Sequence, residues 1–135
     1  MAPSSRISQS RGIRIITSAL GTVCLGLGIT DIIRPQDGLA LLEFHSLPSS
    51  ADQRLSNALM SMVGVRDLFM ASAIYAASYF GTSKTLGWIL FASGGVAFGD
   101  GMIARANGLN FLNHWVFVPI AGVLGSVLLG AFDKS

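Results

Sequence analysis

Asp31, Arg66, Asp67, Asp100 and His114 stand inside long apolar runs of the sequence, and Arg105 closes one of those runs. A charged side chain in hydrocarbon costs several kcal/mol, so such residues turn toward the protein interior and find partners there. Asp67 and Asp100 are the expected general acid and base. A carboxyl group withdrawn from water keeps its proton more firmly, which suits a donor at neutral pH. Arg66 would hold the second carboxylate ionised or bind a developing enolate, and His114 would shuttle a proton. Asp31, Arg105 and Asn113 are expected to contact a substrate. Gly64 and Gly99, beside the charges, allow a backbone or a ligand to come close. Arg66 and Asp67 are neighbours and project about 100° apart on a helix. Each is therefore expected to meet a different helix: Arg66 with Asp100 or Asp31, Asp67 with His114 or Arg105.

The composition says what kind of scaffold must position these groups. Of 135 residues, 51% are apolar and 12% charged, against about 25% charged in a typical soluble domain. A mean hydropathy of +0.60 excludes disorder for the bulk of the chain. Cys24 is the single cysteine, so no disulfide scaffold exists; in the middle of an apolar run it reads as a small core residue. A net charge of +2 without a basic stripe excludes nucleic acid as a partner. His45, His114 and Cys24 make no metal-ligand spacing, and no phosphate loop, dinucleotide fingerprint or nucleophile elbow occurs. No metal and no cofactor is expected. His45 reads as a loop residue.

Four apolar stretches, 13–33, 55–80, 85–106 and 111–132, each supply about the 20 residues that cross a bilayer as a helix. The expected fold is all-α: a polytopic membrane protein built as an antiparallel four-transmembrane-helix bundle. Residues 1–12 are Ser-rich and polar and read as a flexible tail before a retained first helix. A cleaved signal peptide is the alternative, disfavoured because signal cores are shorter. Residues 81–84 and 107–110 are tight turns that force neighbouring helices antiparallel. Pro35 ends the first helix. One or two interfacial turns follow, and then an irregular stretch into the second helix, which Asp52 or Ser56 would cap. Small residues recur every fourth position: Ser18, Thr22, Gly26 and Thr30; Gly95 and Gly99; Gly122, Ser126 and Gly130. These stripes would let helices pack closely, or would meet a second copy of the chain. Pro119 should kink the fourth helix or free a backbone carbonyl. Trp88, Trp115, Tyr79 and Phe80 suit an interfacial aromatic belt.

Four spans put both ends on one side. That side holds Arg6, Arg11, Arg14, Lys84 and Lys134, against Arg34, Arg54 and Arg105 on the other, which favours cytoplasmic termini. With that topology the polar groups of all four helices fall in the non-cytoplasmic half, as expected of a polar pocket opening to that face. The competing reading is a buried ion-pair network that only fixes helix register.

The sequence also resembles a known family. Arg34-Pro35, then Phe44-x-x-x-Pro48, then Gly-Val-Arg-Asp at 64–67 and Gly-Asp-Gly at 99–101 resemble small four-helix integral membrane proteins common in fungi. Those proteins carry a domain of unknown function and are distantly DoxX-like. The resemblance covers about residues 12–132. Some members occur in secondary-metabolite gene clusters, so the resemblance implies a role in cyclising, isomerising or dehydrating a hydrophobic natural product. Fungal membrane terpene cyclases, which are longer and lack these motifs, offer only an analogy of chemistry. Two functions are carried forward. One is a cofactor-independent cyclase, isomerase or dehydratase of the membrane, in the endoplasmic reticulum of a eukaryote, taking a lipophilic substrate laterally from membrane lipid. The other is a non-catalytic scaffold, complex subunit or small carrier. Expected partners are lipid, the substrate, and a second copy or a pathway enzyme.

Overall fold

The computed structural model describes residues 6–42 and 49–133. The Phe44-to-Pro48 pattern, His45 and Lys134 lie outside the described residues. Within them the chain is helical: a single 3-10 turn at Ile7–Gln9, then α1 (Arg11–Ile33), α2 (Pro35–Leu41), α3 (Ser50–Tyr79), α4 (Ser83–Ala106), α5 (Leu112–Trp115) and α6 (Phe117–Leu128). Three helices, α1, α3 and α4, are long and apolar enough to cross a membrane. The fourth apolar segment forms a shorter helical stretch, Leu112–Leu128. At about 1.5 Å per residue it is about 25 Å long.

The helix ends follow local chemistry. Pro35 cannot extend α1 and instead occupies the first turn of α2. Ser49 caps α3: its Oγ accepts the Asp52 backbone N–H at 3.1 Å and donates to the Asp52 carboxylate at 2.5 Å. The helix therefore begins five residues before position 55, and Asp52 acts from inside the first turn, not as the cap. Thr82 caps α4 by accepting from the Thr85 N–H at 3.1 Å. Gly108 takes φ 71° after α4 and Gly130 φ 91° after α6. In both places the next residue's N–H reaches back five positions, Leu109 to the Ala104 carbonyl at 2.9 Å and Ala131 to the Ser126 carbonyl at 3.1 Å. That left-handed glycine ends the last helix at Leu128, short of position 132. Between α5 and α6, Val116 keeps helical dihedrals, φ −59° and ψ −35°. Pro119 has no N–H to give the Trp115 carbonyl, and the break falls there.

The chain divides into two compact units. One is Met1–Leu20 with Ala73–Ser135; the other is Gly21–Ser72. In the first, Ile74, Ala77, Leu86, Leu90 and Leu128 form the buried core, with Ile13, Leu20, Ile89 and Leu124 packed against it. α4 meets α6 backbone to backbone: a Cβ on Gly87 would stand 3.0 Å from the Gly125 carbonyl oxygen, and one on Gly125 would stand 3.2 Å from that of Gly87. Arg14 donates to the Ser78 carbonyl at 2.6 Å and the Gly81 carbonyl at 3.2 Å, satisfying acceptors that α3 leaves open at its end. The stretch before α1 is held as well, because the Ser8 N–H and Oγ–H both donate to the Asp133 carboxylate, at 3.0 and 2.6 Å.

In the Gly21–Ser72 unit, α1 and α3 touch at Gly28 and Gly64. A Cβ on Gly64 would lie 2.7 Å from the Gly28 carbonyl oxygen, and one on Gly28 would lie 2.8 Å from that of Gly64. The expected stripe through Thr22 and Gly26 is one register off. Thr22 and Gly26 are exposed, and a Cβ on Gly26 meets nothing within 4 Å. The withdrawn face of α1 runs through Thr17, Gly21, Cys24, Gly28 and Asp31. Likewise Gly95, Gly99 and Gly122 have open space where a Cβ would be. The glycines in contact across α4 and α6 are Gly87 and Gly125, with Gly94 against Ala121.

Candidate functional site

The nine candidate residues fall into both units. Asp31, Gly64, Arg66 and Asp67 belong to Gly21–Ser72; Gly99, Asp100, Arg105, Asn113 and His114 belong to the other.

In Gly21–Ser72, Asp31 and Asp67 are buried at 3% and 8% exposure, on the inward faces of α1 and α3. Asp31 lies one turn from the Gly28–Gly64 contact, and its Cβ would stand 3.0 Å from a Cβ on Gly64. The short helix α2 roofs it. Gly38 sits directly against the Asp31 carboxylate, and a Cβ there would also come within 2.9 Å of the Met60 methyl carbon. Leu39 and Met60 are buried beside it. A side chain at position 38 would displace the carboxylate, so glycine is what permits this roof.

Arg66 turns back onto its neighbour. Its Nε and one terminal nitrogen both donate to the same Asp67 oxygen, at 3.3 and 3.2 Å. The sequence leads each of the two neighbours to a different helix and does not foresee the pairing between them. Their Cβ bonds do diverge, but the long arginine side chain spans the divergence. Asp31 feels the charges of both Asp67 and Arg66. Cys24 lies in the same field, two turns down α1 from Asp31. Asp31 and Asp67 are thus both withdrawn into the interior of their unit, with Cys24 buried further down α1 and Arg66, its side chain 36% exposed, paired to Asp67 at the margin.

Cys24 is buried in the core, as its place in an apolar run implies, and Thr17, Cys24 and Asp31 recur at seven, which places them on one helix face. The sequence does not single out Gly28, Gly38 and Met60, which surround Asp31 and its helix contact. The roof over Asp31 had no periodic signal, because α2 is too short to carry a period.

In the other unit, Asp100 and His114 are half-buried, and Asn113 and Arg105 are exposed. Arg105 holds its guanidinium carbon 5.6 Å from the Phe111 ring centre and 6.0 Å from that of Trp115. Trp115 stacks on Phe98 at 5.8 Å and meets Phe111 edge-on at 4.9 Å. Its indole rests against Gly101. Trp115 therefore belongs to a packed aromatic cluster, whereas Tyr79, Phe80 and Trp88 are exposed as an interfacial belt requires. Among the described residues no three His, Cys, Asp or Glu side chains converge as metal ligands would.

A family model described as a domain of unknown function, DUF4267, matches residues 21–128. The chain belongs to that family. No curated protein and no solved structure matches it.

Proposed function

We propose that this member of the DUF4267 family is an integral membrane enzyme. It would cyclise, isomerise or dehydrate a lipophilic substrate by acid–base chemistry, without metal or organic cofactor. The observation that carries this is the pair of buried carboxyl groups on apolar helices, Asp31 and Asp67, the second of them paired with the Arg66 guanidinium. Intramembrane ionisable groups are functional by default, and two buried carboxyl groups, one of them held by a guanidinium, are the equipment of a base and an acid. Asp67, fixed by Arg66, is the base. Asp31, under the α2 roof, is the donor. Arg66 also offers N–H groups to an oxygen on which charge develops.

The proposal takes Leu112–Leu128 as a fourth crossing. At about 25 Å it is short of the 30 Å hydrocarbon core, a mismatch that bilayers absorb by local thinning. With four crossings in antiparallel order both termini face the cytoplasm, as the Lys/Arg distribution favours. The endoplasmic reticulum is the proposed location in a eukaryote. The resemblance to small fungal, distantly DoxX-like membrane proteins of secondary-metabolite clusters supports a hydrophobic natural product as substrate. A second reading, a non-catalytic subunit or carrier whose charges only fix helix packing, is favoured by the Gly28–Gly64 contact beside the cluster.

Metabolite profiling after deletion tests the proposal. An enzyme leaves an accumulated precursor. Equal mass to the missing product means isomerisation or cyclisation, and excess mass of one water means dehydration. An unchanged profile would count against catalysis.

A further inference from the structure

A second feature lies wholly within the Ala73–Ser135 part of the chain and goes beyond the acid–base reading. It holds or fails whatever Asp31 and Asp67 do. Phe91, Phe98 and Arg105 recur at seven along α4, which places them on one face. Between the two phenylalanines lies an open groove of about 230 Å³, lined by Phe91, Gly94, Gly95, Phe98, Val118 and Gly122. Every lining residue is apolar. The floor is bare, since a Cβ on Gly95 or Gly122 would meet nothing within 4 Å. At one end Phe98 stacks on Trp115, and the Arg105 guanidinium stands over the Trp115 and Phe111 rings. A guanidinium seated on aromatic faces keeps its N–H groups pointing outward in its own plane, the geometry that takes a phosphate through two parallel bonds.

The dimensions agree with a lipid. Arg105 lies in the last turn of a helix long and apolar enough to span the bilayer, where head groups are found. From Arg105 to Phe91 is 14 residues, about 21 Å at 1.5 Å per residue. Half the thickness of a bilayer with its head groups is also about 21 Å. A cation at head-group depth, two helical turns above an apolar trough that ends near mid-membrane, complements an anionic amphiphile whose chain reaches down to that trough. We infer that this face of α4 binds an anionic membrane phospholipid, with one acyl chain in the groove and the phosphate on Arg105.

The test uses the full chain purified in mild detergent. It is mixed with equal amounts of dioleoyl phosphatidylglycerol and dioleoyl phosphatidylcholine, and bound lipid is read by native mass spectrometry. A parallel sample receives glycerol phosphate, a head group without chains. The expected result is at least tenfold greater retention of phosphatidylglycerol and no retention of glycerol phosphate. Arg105→Gln should abolish the preference and Arg105→Lys should keep most of it. Gly95→Leu, which fills the trough, should cut phosphatidylglycerol retention tenfold while the cation is intact. Equal retention of the two lipids by the wild-type chain would overturn the inference. So would a preference unchanged in Arg105→Gln, or a groove filled by a second copy of the chain, seen as a dimer that Gly95→Leu dissociates.

Discussion

Asp67 receives two N–H groups of Arg66 on one oxygen, and Asp31 sits buried under a glycine that leaves room for nothing larger. That both carboxyl groups are withdrawn could be read from their positions in apolar runs. How Arg66 is used could not. Helical angles fix where a Cβ points but not where a guanidinium several bonds further out ends up. The opposite limit is seen at Asp133, outside the spans. The Ser8 hydroxyl and then the Ser8 amide hold its carboxyl below the ordinary carboxylate range. A lowered pKa adds stability that is fully present above the unfolded value, about 3.9, and drains away as pH falls through the folded value. Ser8→Ala should raise the Asp133 titration midpoint toward the ordinary value, read by carboxyl carbon-13 NMR. An unmoved midpoint would show that Ser8 does not hold this group. The same substitution should lower the melting temperature at pH 7, and by less as pH falls through the folded value.

At the scale of elements, the apolar runs located α1, α3 and α4 to within a few residues, because a span is set by bilayer thickness. Helix ends were less legible. They depend on single residues, Ser49 at the start of α3 and Gly130 after α6, whose capping role follows from backbone geometry. The glycine stripes misled for a different reason. Small residues occur on more than one face of α1 and α4, and spacing alone does not say which face meets a neighbour. The Gly28–Gly64 contact yields a sharp comparison. Gly64→Ala puts a methyl group 2.7 Å from a backbone oxygen, so a helix must shift, at a cost of about 1–3 kcal/mol. Gly26→Ala meets open space and should stabilise by about 0.5–1 kcal/mol through helix propensity. Thermal unfolding of both variants in one detergent measures the difference. Equal melting temperatures would mean that α1 and α3 do not touch through these glycines.

For the whole molecule, composition alone pointed to helices in a membrane. Half the usual share of charge cannot clothe 135 residues in water. The family match over residues 21–128 covers the segments that carry the charges. The proposed chemistry rests on those charges being catalytic and not merely structural, and one measurement separates the two. Cells lacking the gene are complemented with wild type, Asp31→Asn or Asp67→Asn, and product is quantified at equal abundance of the protein in the membrane. If the carboxyl groups transfer protons, each variant should accumulate and melt near wild type while product falls by about a hundredfold or more, the usual worth of general acid–base catalysis, and precursor builds up. Wild-type product levels from both variants, whatever their stability, would contradict it.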